Sequence, residues 1–575
     1  MNHDLTHPVC DEEIKLAAFQ LGAFKALGPD GFPGFFYQHY WDEVGGVFMK
    51  WCGVSSMIIT KLLANRLKGI LNLLISLNQS ALVSGRLIHD NVLVAHEAFH
   101  SLKLRKSGSI GQMAIKLDFD NAYDQIEWDF LTMVLRKMGF DSKWVQWVME
   151  CVSLVRFSIF ANGEKMASFV PSRGLCQGDP LFPYLFIIMA NVLSKLITQS
   201  LRNREISSFK ITRLCLTLSH LFFADDMLLF LKAEDTECQN FLDLLAVYCR
   251  ASGQVVNFSK LSVQFSPNIA IAVCDSICAL FGLKLSSPTT NFIRNSIPIL
   301  AISSGEGTQI IRAFTRSLGG WRLVKHPHSF CACILKGIYF PNIDFMYSTK
   351  GRRASWGWAS ILQAHQLLQQ GLRWQIHSGS SALFWEDCWV PGLPNFKISF
   401  LKPDGTEVLK VEDVIDPIRK SWNLPLLATL VSKAEAQAIS SIPILLALTV
   451  DSLIWQFESK GHYSMKSGYH VAMTRKSGSA SQTPSSSFQV PSSFWKQIWR
   501  LQVPPKIRHF WWRICRNVLA SRENMFRRKY ASSPTCLLCH EAPKTVEHLL
   551  FGCEWVRPVW FGSSLNYRVD WGAIH

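Results

Sequence analysis

The chain has 575 residues, 48% of them apolar, which is too long for one hydrophobic core and too apolar for wholesale disorder, so several packed domains are expected. Fifty-nine Lys and Arg stand against 43 Asp and Glu, a net charge of +16 that favours a polyanionic partner, although many soluble proteins carry that sign. The 16 cysteines are scattered singly, which fits a reducing intracellular setting, nuclear or cytoplasmic, better than a disulfide framework.

The polar start, Met1 to Leu5, lacks a signal-peptide core, and the most apolar stretch, Leu181 to Leu193, is too short to span a bilayer and contains Pro183 and Asn191. That stretch reads as buried core, and no membrane partner is expected. In chain order, Phe24 to Trp41 holds Gly28-Pro29-Asp30-Gly31 followed by aromatics, a turn-rich loop entering a packed element. Met57 to Leu74 repeats apolar residues at helical spacing with Lys61, Arg66 and Lys68 on the other face, and Ile88 to Leu104 predicts a second amphipathic helix. Met113 to Leu117 predicts a strand, Trp128 to Met138 a helix, and Phe157 to Gly163 a strand running into a turn. A loop at Pro171 to Pro180, a long apolar helix to Leu201 and a hairpin around Phe223 to Asp226 follow. That order predicts an α+β sheet domain. Pro267 to Gly320 shows no motif, Trp-rich segments run from Trp321 to Tyr469, and Arg475 to Ser493 has the Ser-dominated composition of a linker. A final compact unit starts near Phe494.

Two constellations could carry chemistry. Asp118 ends the apolar strand Met113-Ala-Ile-Lys-Leu117, and Asp225-Asp226 follow Leu221-Phe-Phe-Ala224 in a tight turn. Carboxylates at the ends of neighbouring strands can converge on two Mg²⁺ ions, as phosphoryl transfer requires. Taken singly, each reads more readily as an ordinary turn aspartate. The second constellation is Cys536-x2-Cys539 followed by His548 and Cys553. Two short-range pairs of soft ligands suit tetrahedral Zn²⁺; the alternatives are three buried core cysteines, or His540 as a competing ligand.

The ordered set of motifs closely resembles the reverse transcriptases of plant non-LTR (LINE-type) retrotransposons. Gly28-Pro29-Asp30-Gly31 matches their upstream loop, and Asn78-Gln-Ser-Ala-Leu-Val-Ser-Gly-Arg-Leu-Ile-His-Asp-Asn91 resembles their template-side finger segment. Lys116-Leu-Asp-Phe-Asp-Asn-Ala-Tyr-Asp124 resembles polymerase motif A and Pro171-Ser-Arg-Gly-Leu-Cys-Gln-Gly-Asp-Pro180 motif B. Phe223-Ala-Asp-Asp226 resembles motif C, and Ser252-Gly253 through Asn257 to Lys260 motif D. The resemblance covers roughly residues 20 to 266. It implies a right-hand palm and fingers fold that makes DNA on an RNA template from a DNA primer and deoxynucleoside triphosphates. Asp118 and Asp225 would be the magnesium ligands with Asp226 adjacent, Tyr123 would lie beneath the incoming sugar, Gln177 and Gly178 would line the nucleotide and template pocket, and Lys260 would lie near the phosphates.

Phe494-Trp-Lys-Gln-Ile-Trp499, Val503-Pro-Pro-Lys506, Phe510-Trp-Trp512, Arg522-Glu-Asn524 and Glu547-His548 resemble the mainly helical zinc-binding module downstream in the same elements, and Trp356-Gly-Trp358 through Trp374 to Trp385-Glu-Asp387 resembles their connecting region. Arg508, Arg513, Arg516, Arg527, Arg528 and Lys529 interleave with aromatics there, as a single-stranded nucleic-acid surface or as a solvated face around an aromatic core.

The expected organisation is therefore truncated fingers (1–80), palm with motifs A to D (81–266), thumb remnant or connector (267–345), Trp-rich connector (346–475), linker (476–493) and zinc-binding domain (494–575). Where these relatives have basic finger strands between Trp41 and Lys61, this chain has only Asp42 to Thr60. Motif A has Asp120-Asn121 in place of a small residue and Lys, and motif B has Cys176 and Phe182 in place of Arg and Ser. With no endonuclease ahead of the motifs and no ribonuclease H after the zinc module, the expectation is a decayed or mis-spliced element. Rival readings are a non-catalytic nucleic-acid-binding relic, an intron-encoded maturase and a zinc-mediated protein-interaction module.

Overall fold

The computed structural model describes residues 1–22, 32–50, 56–283, 318–444, 451–477 and 492–563, apart from positions 163, 352, 401, 404, 417, 420, 528 and 529. The Gly28–Gly31 loop, most of the Ser-rich linker and most of the motif-free 267–320 segment thus lie outside the described residues. The chain divides into two compact units, Met1–Ala472 and Met473–His575.

The first unit is mixed α and β. It opens with helices α1 (Asn2–Thr6), α2 (Asp11–Phe19), α3 (Gly34–His39) and α4 (Trp41–Lys50), short elements whose periodicity the sequence does not advertise. The predicted helices follow as α5 (Ser56–Leu74) and α6 (Ile88–Leu104). Next come β1 (Gln112–Leu117), β2 (Phe119–Asp120), α7 (Trp128–Lys137), α8 (Ser142–Ser153), the small hairpin β3 (Phe160–Ala161) and β4 (Glu164–Lys165), and α9 (Phe182–Arg202). The hairpin strands β5 (His220–Phe223) and β6 (Asp226–Lys232), then α10 (Asp235–Ser252), β7 (Val255–Val256), β8 (Ser262–Phe265) and α11 (Ile271–Leu280) complete this run. Helix α11 lies where the sequence showed no motif; it is so evenly apolar that no amphipathic stripe marks it.

Four strands form an antiparallel sheet in the order β5-β6-β1-β8. Successive side chains of a strand point to opposite faces, and the sequence uses both. Met113, Ile115 and Leu117 of β1 with Met227, Leu229 and Leu231 of β6 join one core with α5, α7, α8, α9 and α10. Ala114, Leu228 and Phe230 join another with α6 and residues 321–368. A strand buried on both faces reads as a continuous apolar run, which explains why β6 shows no alternation.

Helix α9 is long and apolar enough to cross a membrane, yet here it is a core helix with Phe186, Ile187, Ile188 and Met189 fully enclosed. Behind the sheet, Glu97 of α6 is buried and accepts hydrogen bonds from Tyr339 Oη (2.6 Å) and Ser355 Oγ, tying the Trp-rich stretch to the sheet. Trp358, fully buried, stacks on Tyr339 at 4.5 Å. A third core gathers Trp385, Trp389 and Trp422 over residues 376–439.

The second unit is mainly helical among its described residues: Ser492–Arg500, Pro505–Cys515 and Arg522–Arg527, then one wide turn at His548–Gly552 and a short helix Arg557–Phe561.

Candidate active site and metal centre

Strand pairing brings the two sets of aspartates together. Leu117, the last residue of β1, pairs with Met227, so one further step along the register sets Asp118 across from Asp226. Asp225 sits beside it in the β5–β6 turn, closed by the pair Phe223–Asp226. Burial pushes the Asp226 carboxyl pKa up; Lys116 opposes that, and the negative charges of Asp225 and Asp118 add to it. Three carboxylates thus share one field. Two lysines meet them: Lys116 Nζ lies 3.7 Å from Asp226 Oδ1 and Lys260 Nζ 3.0 Å from Asp118 Oδ2. The hydrogen bond to Asp118 raises the Lys260 pKa. Lys260 is carried there by the turn after β7, which pairs with β2 and donates Asn257 N–H to Asp118 O at 2.9 Å.

The turn itself is strained and supported. Ala224 has φ +53°, a left-handed conformation that costs a non-glycine residue roughly 1–2 kcal/mol. The Gln79 side chain meets both its backbone groups: Ala224 N–H donates to Oε1 (3.1 Å), and Nε2 donates to Ala224 O (3.4 Å). Residues 78–80 run beside β5, with Phe222 N–H donating to Asn78 O and Ser80 N–H to Phe222 O, while Asn91 Nδ2 donates to Phe222 O. The segment that sequence assigns to the fingers therefore also buttresses the aspartate turn. Sequence reasoning quoted Gln79 only within the Asn78–Asn91 segment and gave it no role; flanked by Asn78 and Ser80, it carries no local signal of its own.

Tyr123 follows β2 and stacks on Phe186 of α9, ring centroids 4.3 Å apart and 15° from parallel. Burial, with the charge of Asp225 second, pushes its phenol pKa up to about 12, so it stays neutral near pH 7. Leu175 N–H donates to Tyr123 O at 2.9 Å, which joins the 171–180 loop to the 118–124 segment. That approach demands glycine at 174: φ is +89°, and a Cβ would stand 2.6 Å from Asp124 O. Gly178, φ +107°, lines a cavity of about 280 Å³ with Tyr37, Lys61, Asp179 and Tyr184. Burial pushes the Asp179 carboxyl up to about 6 despite hydrogen bonds from Leu181 N–H, Thr60 and Phe182 N–H. Gln177 is solvent-exposed and does not line this cavity.

In the second unit, ligand atoms of Cys536, Cys539, His548 and Cys553 all lie within 4.8 Å of one another. Cys536, Cys553 and His548 are buried, and Cys539 Sγ is 3.4 Å from His548 Nε2. Burial disfavours the Cys536 thiolate, yet N–H groups of Cys539 and Leu538 and the His548 and Cys539 side chains outweigh it and bring the pKa to about 6. Cys553 moves the other way, through burial and the neighbouring Cys536 sulfur. Three sulfurs and one imidazole, one sulfur already inclined to ionise, are the donor set of structural zinc. His540, the competing candidate, stands outside the cluster with φ +59°.

Residues 50–289 match the family model for reverse transcriptase (RNA-dependent DNA polymerase), and residues 463–560 match the model for the zinc-binding domain in reverse transcriptase. The chain carries a reverse transcriptase domain and its zinc-binding companion. The chain is 30% identical over 161 residues to a retrovirus-related Pol polyprotein from type-1 retrotransposable element R2 of Popillia japonica, covering 28% of this chain and 25% of that protein. It is 23% identical over 270 residues to a ribonuclease H-like protein of Arabidopsis thaliana, 44% and 42% of the two chains. It thus spans less than half the length of either relative. A telomerase structure from Candida albicans aligns over 52% of this chain and 47% of that one at 12% identity, with a TM-score of 0.30, too distant a likeness to argue from.

Proposed function

We propose that the first unit is the palm, with fingers, of an RNA-directed DNA polymerase of a LINE-type retrotransposon, and that it joins deoxynucleotides to a primer 3′-hydroxyl. The observation that carries this reading is the pairing of β1 with β6, which sets Asp118, just past the end of β1, across from Asp226, with Asp225 beside it in the β5–β6 turn. Burial first, and the charges of Asp225 and Asp118 after it, disfavour ionisation of Asp226, and hard carboxylate oxygens gathered in one field suit a site for Mg²⁺. Two magnesium ions bound by Asp118 and Asp225 would supply charge for the attacking and leaving oxygens.

The chain's own residues do the rest. Lys116 and Lys260 limit repulsion among the carboxylates before substrate arrives. Tyr123, fixed by its stack on Phe186, offers a neutral ring beneath the incoming sugar, where a ribose 2′-hydroxyl would crowd it. Gly178 leaves room for the nucleotide or template backbone. The primer hydroxyl attacks the α-phosphorus, and pyrophosphate leaves in line. The test is primer extension on an RNA template, in which Asp225→Asn abolishes incorporation; retained extension rules Asp225 out.

A second reading, a nucleic-acid-binding relic without catalysis, is favoured by one observation. Asp42 to Thr60 holds a single basic residue, Lys50, where phosphate-clamping groups are expected.

A further inference from the structure

The second unit holds charge out of proportion to its size. Residues 473–575 contain 15 Lys and Arg against five Asp and Glu, so 103 residues carry +10 of the chain's +16, and the other 472 carry +6. The helix Pro505–Cys515 stands out within it. It is 11 residues long, and none of them is buried. Phe510 and Trp511 are each 43% exposed, and Ile507 is exposed beside them.

Helical spacing orders these groups. Lys506, Phe510 and Arg513 fall at i, i+4 and i+7, so they share one face with a ring between two cations over roughly 10 Å of axis. Ile507, Trp511 and Ile514 repeat the same spacing on the adjoining stripe. The opposite side anchors the helix: Arg508 Nη1 donates to Trp499 O at 3.1 Å, and His509 meets the ring of Trp499 edge-on. The anchored side thus leaves the aromatic and cationic face outward among the described residues.

We propose that this face is a binding surface for single-stranded nucleic acid, separate from the aspartate site and from the zinc ligands. Alternating cations and rings match alternating phosphates and bases: cations neutralise the backbone, and rings take bases of any sequence. Charge decides among occupants. The first unit and a second copy of the chain both carry net positive charge and would be repelled, whereas a polyanion is drawn in. The proposal does not rest on polymerase activity.

The experiment uses the full chain and a 20-nucleotide single-stranded RNA carrying 4-thiouridine. After photocrosslinking, adducts are expected in peptides spanning residues 505–515; adducts confined to residues 1–472 overturn the proposal. Binding by fluorescence anisotropy supplies the second arm. Phe510→Ala with Trp511→Ala should weaken affinity about tenfold or more. Arg513→Gln should weaken it less and reduce the salt slope by about one. Zinc content and melting temperature are measured on each variant to establish that it folds. Folded variants with unchanged affinity and salt slope overturn the proposal, as does a chain whose dimerisation, not RNA binding, is lost in the double variant. Asp225→Asn should bind with unchanged affinity and give the same crosslinks, so failure of the polymerase reading and failure of this one are told apart.

Discussion

The Gln79 side-chain amide brackets Ala224, accepting from its N–H at 3.1 Å and donating to its carbonyl at 3.4 Å, and so holds the left-handed residue that immediately precedes Asp225. Gln79 Oε1 also accepts from the buried Ala81 N–H at 2.9 Å, so removing the amide leaves that donor and the half-buried Ala224 N–H without their acceptor, at a cost of about 1–3 kcal/mol for a buried donor and less for an exposed one. Gln79→Ala should therefore lower the melting temperature by several degrees. In a background of Ala224→Gly, where the left-handed conformation is no longer strained, the same substitution should cost less. Equal losses in both backgrounds would show that the amide does not support the turn.

His220 gives a pH prediction with a definite sign. Its ring is buried between Ser194 Oγ (2.7 Å) and Ser219 Oγ (2.8 Å), and burial drives its pKa down to about 3. An unfolded histidine titrates near 6.5, so between pH 3 and 6.5 the unfolded chain binds a proton that the folded chain refuses. Stability from this residue is complete above pH 6.5 and is lost as pH falls, by at most about 1.4 kcal/mol per unit. Chemical denaturation at pH 7 and pH 5 should show a smaller drop for His220→Gln than for the parent chain.

The zinc centre predicts a metal count. The purified chain should hold close to one zinc, and chelation should lower the melting temperature of the second unit, because ligands gathered only in the folded state couple metal binding to folding. Cys539→Ser should lose most of the metal, whereas His540→Ala should keep it, since His540 stands outside the cluster. Equal zinc loss in both variants would mean the ligand set is wrong.

Legibility followed local pattern. The helix Ile88–Leu104 was readable to its end residues from its helical period, and the β1 strand to within one as a short apolar run buried on both faces. The four zinc ligands could be read from spacing, which brings Cys536 and Cys539 together without long-range information. What sequence could not supply were relations across distance. Gln79 and Ala224 are 145 residues apart, and Glu97 meets Tyr339 and Ser355 across more than 240. That Asp118 and Asp225-Asp226 converge was an expectation from strand-end placement and from resemblance; the register that sets Asp118 across from Asp226 comes only with the antiparallel pairing of β1 with β6. Helix α11 was missed because its apolar residues lie on all sides, leaving no stripe to detect.

The stretch between Trp41 and Lys61 bears on whether the site works. A polymerase must hold the triphosphate while the primer hydroxyl lines up with the α-phosphorus, and that alignment supplies much of the rate. Asp118, Asp225 and Lys260 can organise the palm side, where Lys260 already reaches Asp118 at 3.0 Å. The β- and γ-phosphates need cations from the other side, and Asp42 to Thr60 offers only Lys50. Nucleic-acid affinity is much less exposed to this deficit, because +10 of the chain's +16 lies in residues 473–575 and not in the finger stretch. Salt-sensitive RNA binding with little or no nucleotide incorporation is the expected outcome. Inserting basic finger strands between Trp41 and Lys61 should raise incorporation by a larger factor than it raises RNA affinity, since the added groups act on the triphosphate and hardly touch the template. Primer extension by the chain as it stands, at rates like those of relatives with the longer segment, would show that the phosphates are held by other residues and that the polymerase is intact.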